Sequence, residues 1–367
     1  MAVYTYLSAD LLTGTVREEL PLTGVRWSKV LNGPGALNAN IRYTHPKATR
    51  ANLDPGRTAI FVRRNGLVVW GGILWTARKV KGNDVLSLGC EGFWSYFRRR
   101  RLRHNIKFTN VDQLTIFKEL IRYTQGQPVT QATSGNGTYP QPNGDIGVLL
   151  GDETSGVLRV KTINGFERSI VGNELESLAS LSGGFDFAIE VTEPTSHNFV
   201  KTLRLGYPRR GRRTNIVFEQ GKNVKLLDWQ IDADRLENRV DALGSGEGPA
   251  MLISTAQDTN VLDQGYPLLD GTVSHKDVTR LETLAAHAQR RLTEHKLPVS
   301  IPVLSLRVTE EGEVGSFIEG DECLVRADDG FVQFDNYYRV IEYLVDVSNE
   351  GDETIDITFA ESEATFA

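Results

Sequence analysis

Apolar and polar residues alternate with a period of two over much of the first hundred positions. Between Ala36 and Tyr43, Leu37, Ala39 and Ile41 alternate with Asn38, Asn40 and Arg42, the pattern of a strand with one buried face. Val25 to Leu31 precedes it across a Gly33-Pro34-Gly35 turn, which predicts a hairpin. Thr58 to Arg64 (TAIFVRR) and Leu67 to Trp70 (LVVW) flank Asn65-Gly66. A type I′ turn needs positive φ at both central residues, so this dipeptide predicts a second hairpin. Gly71-Gly72 interrupts the run before Ile73 to Val80 and predicts a bulge or a sharp corner. Gly82-Asn83 then turns the chain into Asp84 to Cys90. Together these runs predict an antiparallel barrel or sandwich over residues 1–105.

The period changes further on. Asn110 is placed to cap a helix from Val111 to Tyr123, with Leu114, Phe117, Leu120 and Ile121 on one side and Gly126 and Pro128 beyond its end. Asn173 is placed to cap a short helix bearing Leu175, Leu178 and Ala179, stopped by Gly183-Gly184. A third helix, residues 276–296, carries Val278, Leu281, Leu284, Ala285, Ala288 and Leu292, with Ser274 and Asp277 as a capping pair and Pro298 after it. Such stripes predict core faces. Gln125 to Glu153, rich in Gly, Pro, Asn and Thr, reads as a long surface loop or irregular hairpin, and Gly244 to Pro249 as a flexible joint. Strands return at the end: Ile341, Tyr343, Val345 and Val347 share one face, as do Ile355, Ile357 and Phe359.

The resulting fold class is mainly β with α+β insertions, strand-rich at both ends with helix-containing middle domains. The divisions read are 1–105, 106–222 and 223–367.

Composition sharpens this. The 367 residues include 35 Gly, an excess that suits many turns between short strands. The longest apolar stretch, Gly66 to Trp75, is too short to span a bilayer as a helix, and the N-terminus MAVYTYLSAD shows no signal peptide. Cys90 and Cys323 cannot build a disulfide framework or a four-thiolate site, and read as buried thiols of a chain made in a reducing cytoplasm. The net charge of −6 hides an asymmetry: Glu310 to Glu363 holds 17 acids and 2 bases, so the remainder is basic. A dipolar chain suits contact with copies of itself or with a charged neighbour.

Signatures of catalysis are missing. Gly221-Lys222 is followed by Asn223, so no phosphate loop forms; GSGEG at Gly244 to Gly248 lacks the dinucleotide spacing; no Ser stands between glycines in a nucleophile elbow. His287 and His295 lie two helical turns apart, too far to share one zinc ion unaided. No catalytic, cofactor-binding or metal-binding residue is assigned. Two arginine clusters stand out instead: Arg98, Arg99, Arg100, Arg101 and Arg103, interleaved with Trp94, Tyr96, Phe97 and Leu102; and Arg209, Arg210, Arg212 and Arg213 around Gly211. Arginine rather than lysine favours paired carboxylates or phosphates, so these nine residues read as a contact for nucleic acid or for an acidic protein partner, and as the candidate inter-subunit interface where that partner is a second copy.

Several runs carry a resemblance. TAIFVRRNGLVVWGGILWTARKV (Thr58 to Val80), SLGCEGFWSYFRRRRL (Ser87 to Leu102) and VRWSKVLNGPGALNANI near the start resemble the N-terminal barrel of phage tail hub proteins, the minor tail proteins of siphophages infecting actinobacteria. ESLASLSGGFDFAIE (Glu176 to Glu190), Asn223 to Gly248, the third helix and EGDECLVRADDG follow in the same order. The resemblance implies two β-barrel tube-type domains plus helix-containing middle domains in each subunit, and a homotrimeric ring at the tail tip in which the barrels match a sixfold distal tail ring. Its partners would be the distal tail protein, the tape measure protein and a fibre or spike, with transient passage of phage DNA and no membrane insertion. It implies no cofactor, a virion location after assembly in the host cytoplasm, and no hydrolase, since Ala367 follows soon after the last strand. The alternatives from the residues alone are a carbohydrate-active β-rich enzyme and a receptor-binding tail protein.

Overall fold

The computed structural model describes residues 2–79, 81–82, 84–181, 183–276, 278–296, 299–306, 313–328, 330–331 and 333–361. The first strands are β1 (Tyr4–Asp10), β2 (Val16–Leu20), β3 (Thr23–Val30), β4 (Ala36–Arg42), β5 (Thr58–Arg64), β6 (Leu67–Lys79) and β7 (Val85–Gly92). The alternation in β4 places Leu37, Ala39 and Ile41 inside, each no more than 3% exposed. Asn65 and Gly66 have φ of 49° and 81° and turn β5 into β6, as a type I′ turn requires. Asn83, in the next turn, lies outside the described residues. The β6 register shifts opposite Val62/Arg63 and again between Leu74 and Thr76, on either side of Gly71-Gly72. A Cβ at Gly72 would stand 2.4 Å from the Glu91 carbonyl oxygen, so the glycine is required by the approach of β7.

The middle of the chain holds α1 (Trp94–Phe97), β8 (Ile106–Asp112), α2 (Gln113–Gln125), β9 (Val148–Leu150), β10 (Leu158–Ile163), α3 (Val171–Ala179), β11 (Asp186–Thr195), β12 (Asn198–Gly206) and β13 (Arg213–Glu219). Two helix starts differ from the sequence reading. The cap of α2 is Asp112, not Asn110: its Oδ1 accepts from Leu114 N at 2.9 Å and Thr115 N at 3.2 Å. Asn110 instead sits in β8 with φ of 55°, where the β8–β10 ladder slips between Arg159 and Lys161. Asn173 lies inside α3, which begins at Val171 after Ile170. Gly126, at φ 75°, closes α2 as expected.

The segment after α2 is irregular but tightly held by that helix. Glu119, wholly buried, accepts from the main-chain N–H of Thr130 and Gln131. Gln125 exchanges two hydrogen bonds with Val148, and Lys118 donates to the carbonyls of Gly151 and Glu153. Asp112 Oδ2 accepts from Ser155 and Gly156.

The remaining elements are β14 (Val224–Asp232), β15 (Arg239–Leu243), β16 (Ile253–Gln257), α4 (Thr259–Asp263), β17 (Asp270–Ser274), α5 (Leu281–His295), β18 (Val299–Leu306), β19 (Glu322–Asp328), β20 (Gln333–Val347) and β21 (Glu353–Glu361). A 13-stranded sheet runs β14-β18-β21-β20-β3-β4-β7-β6-β5-β1-β2, with β19 joining β13 to β20. Its N- and C-terminal strands therefore meet directly, as β3 pairs antiparallel with β20 from Val25↔Val347 to Val30↔Glu342. Smaller sheets are β10-β8, β11-β12-β9 and β16-β15-β17.

The chain forms two compact units, Met1–Leu227 with Leu304–Ala367, and Asp228–Val303. The boundaries read at 105 and 222 fall within the first unit. One core there joins Leu7 and Phe61 of the N-terminal strands to Trp94, Phe97, Phe117, Leu175 and Phe187 of the helical region. A second aromatic chain runs from Trp27 through Tyr343 and Phe317 to Phe218 and Phe359, with centroids 5.2–5.9 Å apart. In the second unit, α5 packs Leu284 and Ala288 on Ala242. That helix begins at Leu281, later than read; Ser274 ends β17, and Asp277 and Pro298 lie outside the described residues. Gly244 to Pro249 is not a joint between domains. It belongs to the loop joining β15 to β16, which pair antiparallel up to Leu243↔Ile253.

Candidate assembly surfaces

The two arginine clusters have different fates. In the second, Arg210 is buried at 7% exposure. Its Nη1 donates to Glu319 Oε1 at 2.9 Å and to the Glu319 carbonyl at 3.0 Å, its Nη2 pairs with Glu190, and its main-chain N–H donates to Asp186 Oδ2 at 2.8 Å. Arg339 completes the group by pairing with Asp186 and donating to the Arg210 carbonyl at 3.0 Å. These five charged side chains pin β11 and the loop after β12 to the C-terminal strands. Arg213 pairs with Glu322 at 3.2 Å and lies 4.3 Å over the Tyr337 ring. Arg212 is exposed and Arg209 half-buried.

In the first cluster, Arg98 pairs with Glu176 at 2.7 Å. Arg99 pairs with Glu91 at 3.0 Å and stacks 3.9 Å over Trp75, while Arg100 donates to Tyr96 and, at 2.7 Å, to Gln141. The charges of Arg98 and Arg99 are thus met within the chain by acids, while Arg100 is held by neutral acceptors. Arg101 and Arg103 remain exposed, and Arg101 Nη1 donates to a main-chain carbonyl, that of Arg168, at 2.9 Å.

The C-terminal acids show the same economy. Glu353 takes a bidentate bond from Arg64 at 2.6 and 2.9 Å and a hydroxyl bond from Tyr4; Glu313 lies 3.2 Å from the same guanidinium. Glu353, Glu319 and Glu322 are thus buried against arginines of the earlier part of the chain, while Asp328, Asp335, Asp346, Glu350 and Asp352 stay exposed.

Other candidate chemistry is quiet. Both cysteines are free and buried, and burial pushes the Cys323 thiol up to about 12 and Cys90 higher still. His287 stacks on His275 at 3.8 Å, and His295 bonds the Arg235 carbonyl. Among the described residues, no group of three or more His, Cys, Asp or Glu could hold a metal ion, and no helix is long and apolar enough to cross a membrane.

The sequence reading missed an exposed apolar surface. Leu158 and Val160, on the outer face of the β8–β10 ribbon, are 60% and 64% exposed, and Phe166, on the turn that leaves β10, is 79% exposed. The signal was present: LRVKTI alternates apolar with basic residues, but here Arg159 and Lys161 point inward, to Gln113 and Glu174.

No protein-family profile and no curated protein matches the chain. Solved structures do. It is similar to the 43 kDa tail protein of prophage MuSo2 from Shewanella oneidensis, with a TM-score of 0.64 and 13% identity over 98% of both chains. It is similar to the tail protein from Neisseria meningitidis MC58, with a TM-score of 0.63 and 15% identity over 98% of this chain and 97% of that one. A component of the E. coli type VI secretion system, described as similar to the bacteriophage T4 tail proteins gp27 and gp5, matches 94% of this chain and 74% of its own length at a TM-score of 0.52 and 10% identity. The chain thus has, from end to end, the fold of phage tail proteins.

Proposed function

We propose that the chain is a structural tail hub protein, not an enzyme, which forms a trimeric ring at the tail tip. In this reading the ring joins the hexameric tail tube and its distal tail protein to a fibre or spike, and its channel passes the tape measure protein and then DNA. The single observation that carries it is the coextensive match to tail proteins, 98% of this chain against 98% of the Shewanella protein. The T4-like secretion component favours a hub over other tail parts. Each subunit would present two tube-type regions, one from β1–β7 and one from the C-terminal strands, so that three copies face a sixfold ring.

Electron microscopy of the particle tests this. Three copies at the tail tip are expected; six copies, one copy, or a position along the tube would refute it. The same neighbour supports a second reading, a hub of a bacterial secretion or tailocin-type particle, which a neighbouring tape measure gene would argue against.

A further inference from the structure

A cleft of about 280 Å³ lies where the turn between β20 and β21 meets the N-terminal end of β1 and the start of β3. It is at the small end of ligand-sized cavities. Leu22, Val25 and Val347 give it apolar walls, each no more than 8% exposed. Tyr6 also lines it and is only 7% exposed. The two tyrosines of β1 stack at 6.2 Å, but their hydroxyls differ. Tyr4 spends its hydroxyl on Glu353, whereas the Tyr6 hydroxyl has no hydrogen-bond partner among the described residues. Burial raises it above the ordinary phenol value. A polar group so far inside a protein is normally paired, and the cleft is where a partner can reach this one.

Other hydrogen-bonding capacity along the cleft is also unspent. Ser348 Oγ accepts from the N–H groups of Glu350 and Asp352, which leaves its own proton to donate. Asn349 Oδ1 accepts from Gly24 N at 3.3 Å, which leaves its two amide protons. Thr23 Oγ1 donates to the Asn40 carbonyl and can still accept. Glu350 is exposed, and its carboxylate meets no base among the described residues. An anion offers acceptors alone and would face that carboxylate. A cation offers donors alone and would leave the donors of Ser348 and Asn349 unmet. A hydroxyl both donates and accepts. We propose that this cleft binds a neutral polyhydroxy ligand, a single sugar ring, whose hydroxyls accept from Tyr6, Ser348 and Asn349 and donate to Thr23 and Glu350. The site stands whether or not the chain forms a ring.

Saturation-transfer NMR of the full chain tests it, with D-glucose, D-galactose and N-acetyl-D-glucosamine as probes and with ethylammonium and inorganic phosphate beside them. At least one sugar takes up saturation and the two ions do not. Tyr6→Phe weakens that sugar about three- to tenfold, as the loss of one hydrogen bond does. The melting temperature of the sugar-free variant stays at the wild-type value or rises, because the deleted hydroxyl has no partner in the protein. Glu350→Gln keeps an acceptor and costs the sugar no more than Tyr6→Phe does. Silence from all three sugars, or wild-type sugar affinity in Tyr6→Phe, would overturn the proposal. So would a lowered melting temperature in Tyr6→Phe, which would show the hydroxyl spent within the chain, or ethylammonium binding that Glu350→Gln abolishes, which would make the cleft a cation site.

Discussion

Replacing Arg210 by methionine removes the centre of the buried charge group. The consequences fall unevenly. Glu190 keeps Arg204 at 3.2 Å, and Asp186 keeps Arg339 and the amide of Asn32 at 2.9 Å. Glu319 keeps nothing equivalent. It is 4% exposed, its Oε2 has no hydrogen-bond partner among the described residues, and Arg210 is the donor to its Oε1. Breaking a buried pair from one side costs about 3–5 kcal/mol, because a charge is left behind without a counterion. That is a large part of the roughly 5–15 kcal/mol that holds a domain folded. The assay is urea unfolding followed by tryptophan fluorescence, with each transition fitted separately, since two compact units need not unfold together. Arg212→Ala, on an exposed neighbour, is the control and should shift stability by no more than about 0.5 kcal/mol. Arg210→Met combined with Glu319→Leu should recover much of the loss, because an apolar pair carries no desolvation penalty. A single variant within about 1 kcal/mol of wild type, or a double variant no better than the single, would refute the reasoning.

Three further outcomes are expected. Burial lowers the Lys201 amine, held 5.1 Å over the Phe93 ring, to about 8; the unfolded chain binds that proton more tightly, so Lys201→Met should stabilise at pH 7 by roughly 1–3 kcal/mol, an advantage that melting curves show shrinking as the pH rises from about 8 towards 10.5. The amide of Thr13, with Arg17 and Leu12, holds the Asp10 carboxyl down at about 2, so its contribution is full above its ordinary value and lost as the pH falls through about 2; the deficit of Asp10→Asn, read by acid titration, should vanish over that window. Glu119→Ala leaves the N–H groups of Thr130 and Gln131 without their acceptor and should cost about 2–3 kcal/mol, with limited proteolysis cutting first between residues 126 and 157; an uncut segment would show that other bonds hold it.

What the sequence revealed and what it hid follow from the range of the interactions. The hairpins at Asn65-Gly66 and around Gly33 to Gly35 were legible because turn chemistry and alternation act over a few residues. The inward faces of β4 and β21 were legible for the same reason: Ile355, Ile357 and Phe359 are all fully buried. The start of α2 misled by two residues because Asn110 and Asp112 are both good caps, and a bulge in β8 claimed the first. The intramolecular partners of the arginine clusters were not legible because they are remote in sequence. Arg98 finds Glu176, Arg100 finds Gln141 and Arg210 finds Glu319, and no local rule chooses among such partners. The apolar ribbon face was hidden by the ordinary assumption that Leu158 and Val160 turn inward, which Glu174 and Gln113 reverse by drawing in the basic residues between them.

The pairing of β3 with β20 has a consequence for how the protein is made. Val25 bonds opposite Val347, so one edge of β3 waits for a strand translated more than 300 residues later. At about 5–20 residues per second, a ribosome delivers that strand only after tens of seconds. Until then the nascent chain carries an open sheet edge, a template for pairing with any neighbouring chain. Its sheet closes last and over long range, which makes for slow folding. Messages that stall before β20 should therefore yield aggregates rather than soluble fragments, and on polysomes, where copies emerge side by side, chaperone occupancy should persist until the last strands clear the exit tunnel.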